Sequence, residues 1–208
     1  MEEWYAYPLL IVVGFIVGFI NTVAGGGSLL SLPILIFLGL PSTLANGTNR
    51  VAVIFQTAIA TAGFKSKGVS TFPFNLYLGC SAFIGSIIGA NLAVDINGPL
   101  FNRILAVVMI CVVLIVAFGP KISINEVQER LTGKYLWLGI IAFFFFGIYG
   151  GFINAGIGFI IILFLHYINK MTLVRSNATK VAVVFMYMVS ALVVFAWNDQ
   201  VNWKIGLI

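Results

Sequence analysis

The chain has 208 residues, 61% of them hydrophobic and only 8% charged, with a mean hydropathy of +1.11. A water-facing surface needs far more charge, so that balance excludes a soluble globular domain. The basic residues behind the net charge of +5 stand singly between apolar runs, which excludes a nucleic-acid-binding stripe and fits loops beside membrane helices.

Met1-Glu2-Glu3-Trp4 lacks the basic region of a signal peptide, so the first apolar run is expected to be retained. A helix crossing the bilayer core needs roughly 20 apolar residues. The first apolar helix is predicted at Pro8–Ala24, broken at Gly25-Gly26-Gly27-Ser28, with a short helix at Leu29–Leu40 and a turn at Pro41-Ser42. Helices follow at Thr43–Gly63, Phe74–Val94 and Leu100–Phe118. Residues 119–133, with Lys121, Glu126, Glu129 and Arg130, form a polar linker. The order then recurs: a helix at Lys134–Ala155, a break at Gly156–Gly158, a short helix at Phe159–Ile168 and a long one at Leu173–Trp197.

Tyr and Trp near predicted helix ends suit aromatic interface belts. The pairs Gly14/Gly18, Gly85/Gly89 and Gly147/Gly151 would let helices approach closely. Cys80 and Cys111 read as small apolar helix residues, and no metal-ligand spacing occurs.

The recurrence extends to sequence. Gly-x-x-x-Gly-Phe-Ile-Asn stands at Gly14–Asn21 and again at Gly147–Asn154. Asn46-Gly-Thr-Asn-Arg-Val-Ala-Val-Ile-Phe55 is matched by Asn177-Ala-Thr-Lys-Val-Ala-Val-Val-Phe185, with a one-residue gap before Arg50/Lys180. Ordered matches at a steady offset mean an internal duplication. The expected divisions are 1–119 for the first repeat, 120–133 for the linker and 134–208 for a second, incomplete repeat. The expected fold is all-α and polytopic. Duplicated halves with glycine-interrupted helices mark a membrane transporter whose site lies between the halves.

If the loops near Lys65/Lys67, Lys121–Lys134 and Lys170–Lys180 face the cytoplasm, they hold eight of the eleven basic residues. That arrangement inverts the halves with respect to one another, and it would make Ser42 reachable from outside and Asn169 from inside. The second repeat stops after the stretch matching Val69–Phe72, which reads as a truncation or a gap filled by a partner.

Broken helices in hydrocarbon are tolerated where the freed backbone is buried in protein or lines a wet cavity. The half-helices after Gly25, Gly26, Gly27 and Ser28, and after Gly156 and Gly158, would offer free N–H groups and a favourable dipole to an anion. Asn21, Thr22 and Asn154 would add side-chain donors; the bland alternative is a tight helix crossing. Asn46, Thr48, Asn49 and Arg50, with Asn177, Thr179 and Lys180, form a second matched pair of clusters. They could be N-caps and snorkelling cations. A basic residue at matching places beside hydrogen-bonding side chains nevertheless suits an oxyanion. On that reading Arg50→Gln should abolish anion binding and leave the fold intact. No Asp or Glu interrupts an apolar run, which argues against a carboxylate proton relay. No nucleophile–base pair supports an enzyme, and no cofactor is called for.

Gly-Phe-Ile-Asn-Thr-Val-Ala-Gly-Gly-Gly-Ser-Leu-Leu-Ser-Leu-Pro at Gly18–Pro33 and Leu-Gly-Leu-Pro-Ser-Thr-Leu-Ala-Asn-Gly-Thr-Asn-Arg at Leu38–Arg50 resemble the sulfite exporter TauE/SafE family. So do Ala178–Val181 and the Gln-Val-Asn-Trp ending at Trp203. The resemblance implies a multi-pass bacterial inner-membrane transporter of sulfur-containing anions such as sulfite or organosulfonates. The expected partners are a small anion and the lipid bilayer, with no nucleic acid. The coupling ion and a homo-oligomer are left open. An anion channel and a non-transporting helper subunit are the alternatives.

Overall fold

The computed structural model describes residues 6–118 and 128–208. Among them the regular elements are all helices: α1 (Ala6–Val23), α2 (Ser28–Phe37), α3 (Ser42–Ser66), α4 (Phe74–Asp95), α5 (Gly98–Phe118), α6 (Lys134–Phe152), α7 (Ile157–Tyr167), α8 (Leu173–Trp197) and a single turn, α9 (Trp203–Gly206). Lys121 and Glu126 of the linker, like Glu2 and Glu3, lie outside the described residues. Helices α4, α5, α6 and α8 are each long and apolar enough to cross a membrane. The protein is a polytopic, all-α membrane protein.

Its surface is strongly apolar, and several polar groups are buried among its apolar core. Phe15, Phe118 and Trp197 are at least 80% exposed, while Ser28, Asn46, Arg50, Thr179 and Lys180 are at most 2% exposed. Large apolar side chains suit acyl chains outside, and polar groups must find partners within.

The helix ends follow local chemistry. Helix α2 stops at Phe37, before the predicted Leu40, because Gly39 takes φ 93° and turns the chain. There Gly39 N–H donates to the Ile36 carbonyl and Leu40 N–H to the Leu35 carbonyl, a Schellman closure. Gly68 ends α3 in the same way. Thr172 caps the start of α8, its hydroxyl accepting from Arg175 N–H at 3.4 Å.

Helices α3 and α8 lie side by side and run antiparallel. Near the start of α3, Gly47 abuts Phe195 and the Gln200 carbonyl; beyond its end, the Thr71 hydroxyl meets that of Thr179 at 2.8 Å. Two helical hairpins enter this pair from opposite ends. In α1–α2, Leu10 packs with Leu35, Leu40 and Ala45 at what we call the Pro41 end. In α6–α7, Leu136 packs near Leu165 and Met171 at the Lys65 end. The ends differ in charge. The Lys65 end carries Lys65, Lys67, Arg130, Lys134, Lys170 and Arg175 against Glu129, which pairs with Arg175 at 2.7 Å. The Pro41 end carries Arg103 and Lys204 against Asp95 and Asp199.

Helix α4 forms the most extensive contact of the fold, running parallel to α6 with glycine facing backbone. A Cβ at Gly85 would stand 3.0 Å from the Phe144 carbonyl carbon, and one at Gly89 2.8 Å from Phe152 N. Gly147 and Gly151 press on Ala82 and Ser86 in return, so close approach explains both pairs. Gly14 instead faces open space. The lone polar residues have structural partners. The His166 ring nitrogen meets the Met171 carbonyl at 2.9 Å, and Asn91 donates within its own helix to Ile87. Cys80 and Cys111 are free and face outward rather than into the core.

Candidate functional site

The tips of the two hairpins meet backbone to backbone. A Cβ at Gly25 would stand 2.5 Å from the Gly158 Cα, a contact that no side chain permits. The breaks are built differently. The first runs from Ala24 to Gly27, with Gly25 at φ 89°. The second occupies residues 153–156, so Gly158 lies in the first turn of α7 rather than in the break. The reason is Asn154, whose short polar side chain lets it take φ 57° and begin the turn before Gly156 (φ 73°) completes it. Neither α2 nor α7 carries a side-chain cap, and both helices start at the tips. Two helix N-termini with uncapped first turns therefore converge on one point.

The two basic residues cross between the halves. Arg50 of α3 donates through Nη1 to the Gly150 carbonyl at 3.1 Å and through Nη2 to the Gly151 carbonyl at 2.5 Å. Lys180 of α8 donates through Nζ to the carbonyls of Asn21 at 2.9 Å and Thr22 at 3.0 Å. Each cation thus caps the C-terminal end of the other half's broken helix, where unpaired carbonyls carry the negative end of the dipole. The neighbouring asparagines complete both. Asn46 Oδ1 accepts from Arg50 at 3.3 Å while its amide donates to the Phe152 carbonyl at 2.7 Å. Asn177 Oδ1 accepts from Lys180 at 2.8 Å. The paired threonines cross as well: Thr48 Oγ1 accepts from Asn202 N–H at 2.9 Å, and Thr179 meets Thr71.

The two cations differ in access. Arg50 is fully buried, its guanidinium 4.5 Å over the Phe195 ring. Lys180 lines a narrow cavity with Asn21, Gly25, Thr57, Asn154 and Gly158. That cavity is about 10 Å³, roughly what one water needs. Ser28 borders it indirectly, its hydroxyl accepting from Asn154 Nδ2 at 3.1 Å. Gly26 and Gly27 pack on Phe159 and Asn21, and Gly156 on Val112.

The structure therefore gathers Asn21, Gly25, Asn154, Gly158 and Lys180 around one cavity, backed by Thr22, Ser28 and Asn177. It buries Arg50, Asn46 and Thr48 in their own carbonyl network. Asn49 is not brought to the cavity. It is 5% exposed and lines a separate pocket with Ser31, Gly14 and Gly206. Three residues that sequence reasoning did not place in the site belong beside it. Gln56 accepts from Asn21 at 3.2 Å and donates to Thr22 Oγ1 at 3.1 Å. Tyr187 donates to Asn154 Oδ1 at 2.7 Å, and Thr57 lines the cavity. The available signal was weak: Gln56 and Tyr187 each follow the second matched asparagine cluster by about two to three helical turns, Gln56 opposite Met186 once the one-residue gap is counted.

Comparison with known proteins agrees with this architecture. The family model described as "Sulfite exporter TauE/SafE" matches residues 10–208. A "Probable membrane transporter protein" of Haemophilus influenzae is 28% identical over 96% of this chain and 78% of its own length. One of Sinorhizobium is 27% identical over 99% and 78%, and YfcA of Escherichia coli K12, also a "Probable membrane transporter protein", is 29% identical over 97% and 76%. No solved structure matches the chain. With its apolar helices broken at two touching tips and a family match across nearly its whole length, the chain is a membrane transporter protein that belongs to the sulfite exporter TauE/SafE family.

Proposed function

We infer that the chain moves a small sulfur-containing oxyanion, sulfite or an organosulfonate, across the bacterial inner membrane by alternating access, with the cavity at Lys180 as the central site. One observation carries the anion: two uncapped helix N-termini and a buried ammonium converge where the tips touch, in a region whose described residues hold no carboxylate. The sulfur rests on the family alone. Asn21, Thr57 and Asn154 would orient the anion's oxygens, and Gly25, Gly26, Gly27, Ser28, Gly156 and Gly158 would supply N–H groups or the close approach they need. Asn46, Thr48, Arg50, Asn177 and Thr179 would hold the halves in register. Asn49 has no evident contact with this site.

The three N–H donors of Lys180 each meet one acceptor, so the ammonium is saturated within the chain. An oxyanion entering the cavity competes for the ammonium with the α1 carbonyls. Binding thereby loosens the cap on the α1 tip, a direct coupling of occupancy to motion of one hairpin against the other.

The antiparallel α3 and α8 and the opposed hairpins support inverted halves, and the basic Lys65 end suits the cytoplasm. The structure buries Ser42 (7% exposed) and Asn169 (0%), so the topology test moves to exposed neighbours. Pro41→Cys should label from outside and Lys67→Cys from inside; both labelling from one side would overturn the inversion. The functional test is flux of sulfite and sulfonates into vesicles containing the purified chain. Saturable flux is expected. Flux linear in concentration would favour a channel, and none for any anion a helper role.

A further inference from the structure

The central cavity is sealed toward the Pro41 end, where Gly47 lies on the Gln200 carbonyl, Thr48 holds Asn202 and Arg50 is locked beneath Phe195. Toward the Lys65 end lies a pocket of about 510 Å³, far larger than the cavity. Along α3 the two are one helical turn apart. On α3, Thr57 lines the cavity while Thr61 and Lys65, at successive four-residue steps on the same face, line the pocket. On α8, Lys180, Val181 and Val184 line the cavity, and Ala178 and Ala182 line the pocket. The two sets interleave along α8, so pocket and cavity lie against neighbouring faces of that helix.

The pocket's lining is divided in kind. Lys65 is the one charged residue in it, accompanied by the Ser70 hydroxyl, while the hydroxyls of Thr61 and Thr71 are engaged with the Thr57 carbonyl and Thr179. Phe64, Val69, Phe72 and the two alanines give it an apolar wall. It opens at the end of the molecule where six described basic residues face one described acid, a field that concentrates anions. A bare inorganic oxyanion would use the lysine and the serine hydroxyl but leave the apolar wall and most of the volume unused. An anion with a short carbon chain uses both.

Resting on the function proposed above, we propose that this pocket is a loading vestibule for organosulfonates. The sulfonate head sits at Lys65 and the Ser70 hydroxyl, and the carbon tail lies against Phe64, Phe72 and the alanines. When α3 and α8 part beside Ala178 and Ala182, the head passes inward along Thr61 and Thr57 to Lys180. Lys65 is therefore a capture residue and not part of the central site.

The test places a single cysteine in the pocket of the full chain, after Cys80→Ala and Cys111→Ala. Ser70→Cys probes the rim and Ala178→Cys the floor. Modification rates are read with anionic and cationic methanethiosulfonates, with propane-1-sulfonate or sulfate as protectant. Sulfite is avoided because it cleaves the mixed disulfide. The anionic reagent should react faster, and propane-1-sulfonate should protect better than sulfate at equal concentration. Lys65→Gln should weaken that protection about fivefold, the scale of one exposed charge. In flux assays Lys65→Gln should raise the half-saturating concentration and spare the maximal rate. Equal protection by sulfate, or protection unaffected by Lys65→Gln, overturns the vestibule. Protection without any flux would keep the vestibule and sink the transport reading, whereas saturable flux without protection would do the reverse.

Discussion

Arg50→Gln is expected to lower the stability of the protein, not merely to remove a ligand contact. Arg50 is fully buried, and its guanidinium satisfies the Gly150 and Gly151 carbonyls and the Asn46 side chain. Glutamine is shorter and neutral, so it cannot serve both carbonyls at the end of α6. Hydrogen bonds to a charged group contribute about 1.5–3 kcal/mol each, so losing two should cost ~3 kcal/mol or more. For a chain of this size that is a fall of roughly 6–12 °C in the thermal midpoint measured in detergent. Arg50→Lys should recover part of it. The sequence alone suggested that Arg50→Gln would leave the fold intact; the carbonyl cage reverses that expectation. An unchanged midpoint would mean that the α6 carbonyls find donors elsewhere.

Lys180→Met should instead leave a folded protein that scarcely transports. Methionine keeps the apolar stem, and the carbonyls of Asn21 and Thr22 lie beside a cavity where water can replace the ammonium. What disappears is the charge that an entering oxyanion would meet. Removing one partner of a desolvated charge pair typically costs 2–5 kcal/mol, about 30- to 4,000-fold in flux at low substrate. Thermal midpoint and flux should therefore part company here, whereas Arg50→Gln moves both. Near-normal flux through Lys180→Met would remove Lys180 from the site.

Much of the fold is legible as punctuation. The ends of α8 are predicted to the residue, whereas the left-handed turns at Gly39 and Gly68 end α2 at Phe37 and α3 at Ser66 rather than at the predicted Leu40 and Gly63. The second break was misplaced by a few residues because Asn154, not a glycine, supplies its first left-handed turn. The site is legible as a set of repeated letters and no further. The matched Arg50 and Lys180 mark where something important happens, but their partners are backbone carbonyls of the opposite half, which no residue type advertises. Asn49 misleads for a related reason: it adjoins Arg50 in sequence, yet lines a different pocket across α3. Gln56 and Tyr187 belong to no motif, since their meaning lies in which asparagine each holds.

The crossed caps also set an order of assembly on the ribosome. Arg50 and the Gly150 carbonyl it serves are separated by 100 residues. At about 5–20 residues per second, α3 is made roughly 5–20 s before α6. During that interval it carries an arginine without those partners, a residue that costs about 2.5–3.5 kcal/mol at the centre of a membrane helix and less toward its start, where Arg50 stands. Helix α3 accordingly settles at its final depth only when α6 arrives to accept those hydrogen bonds. The older half of the chain is finished by the younger, and neither is a self-sufficient unit of biogenesis.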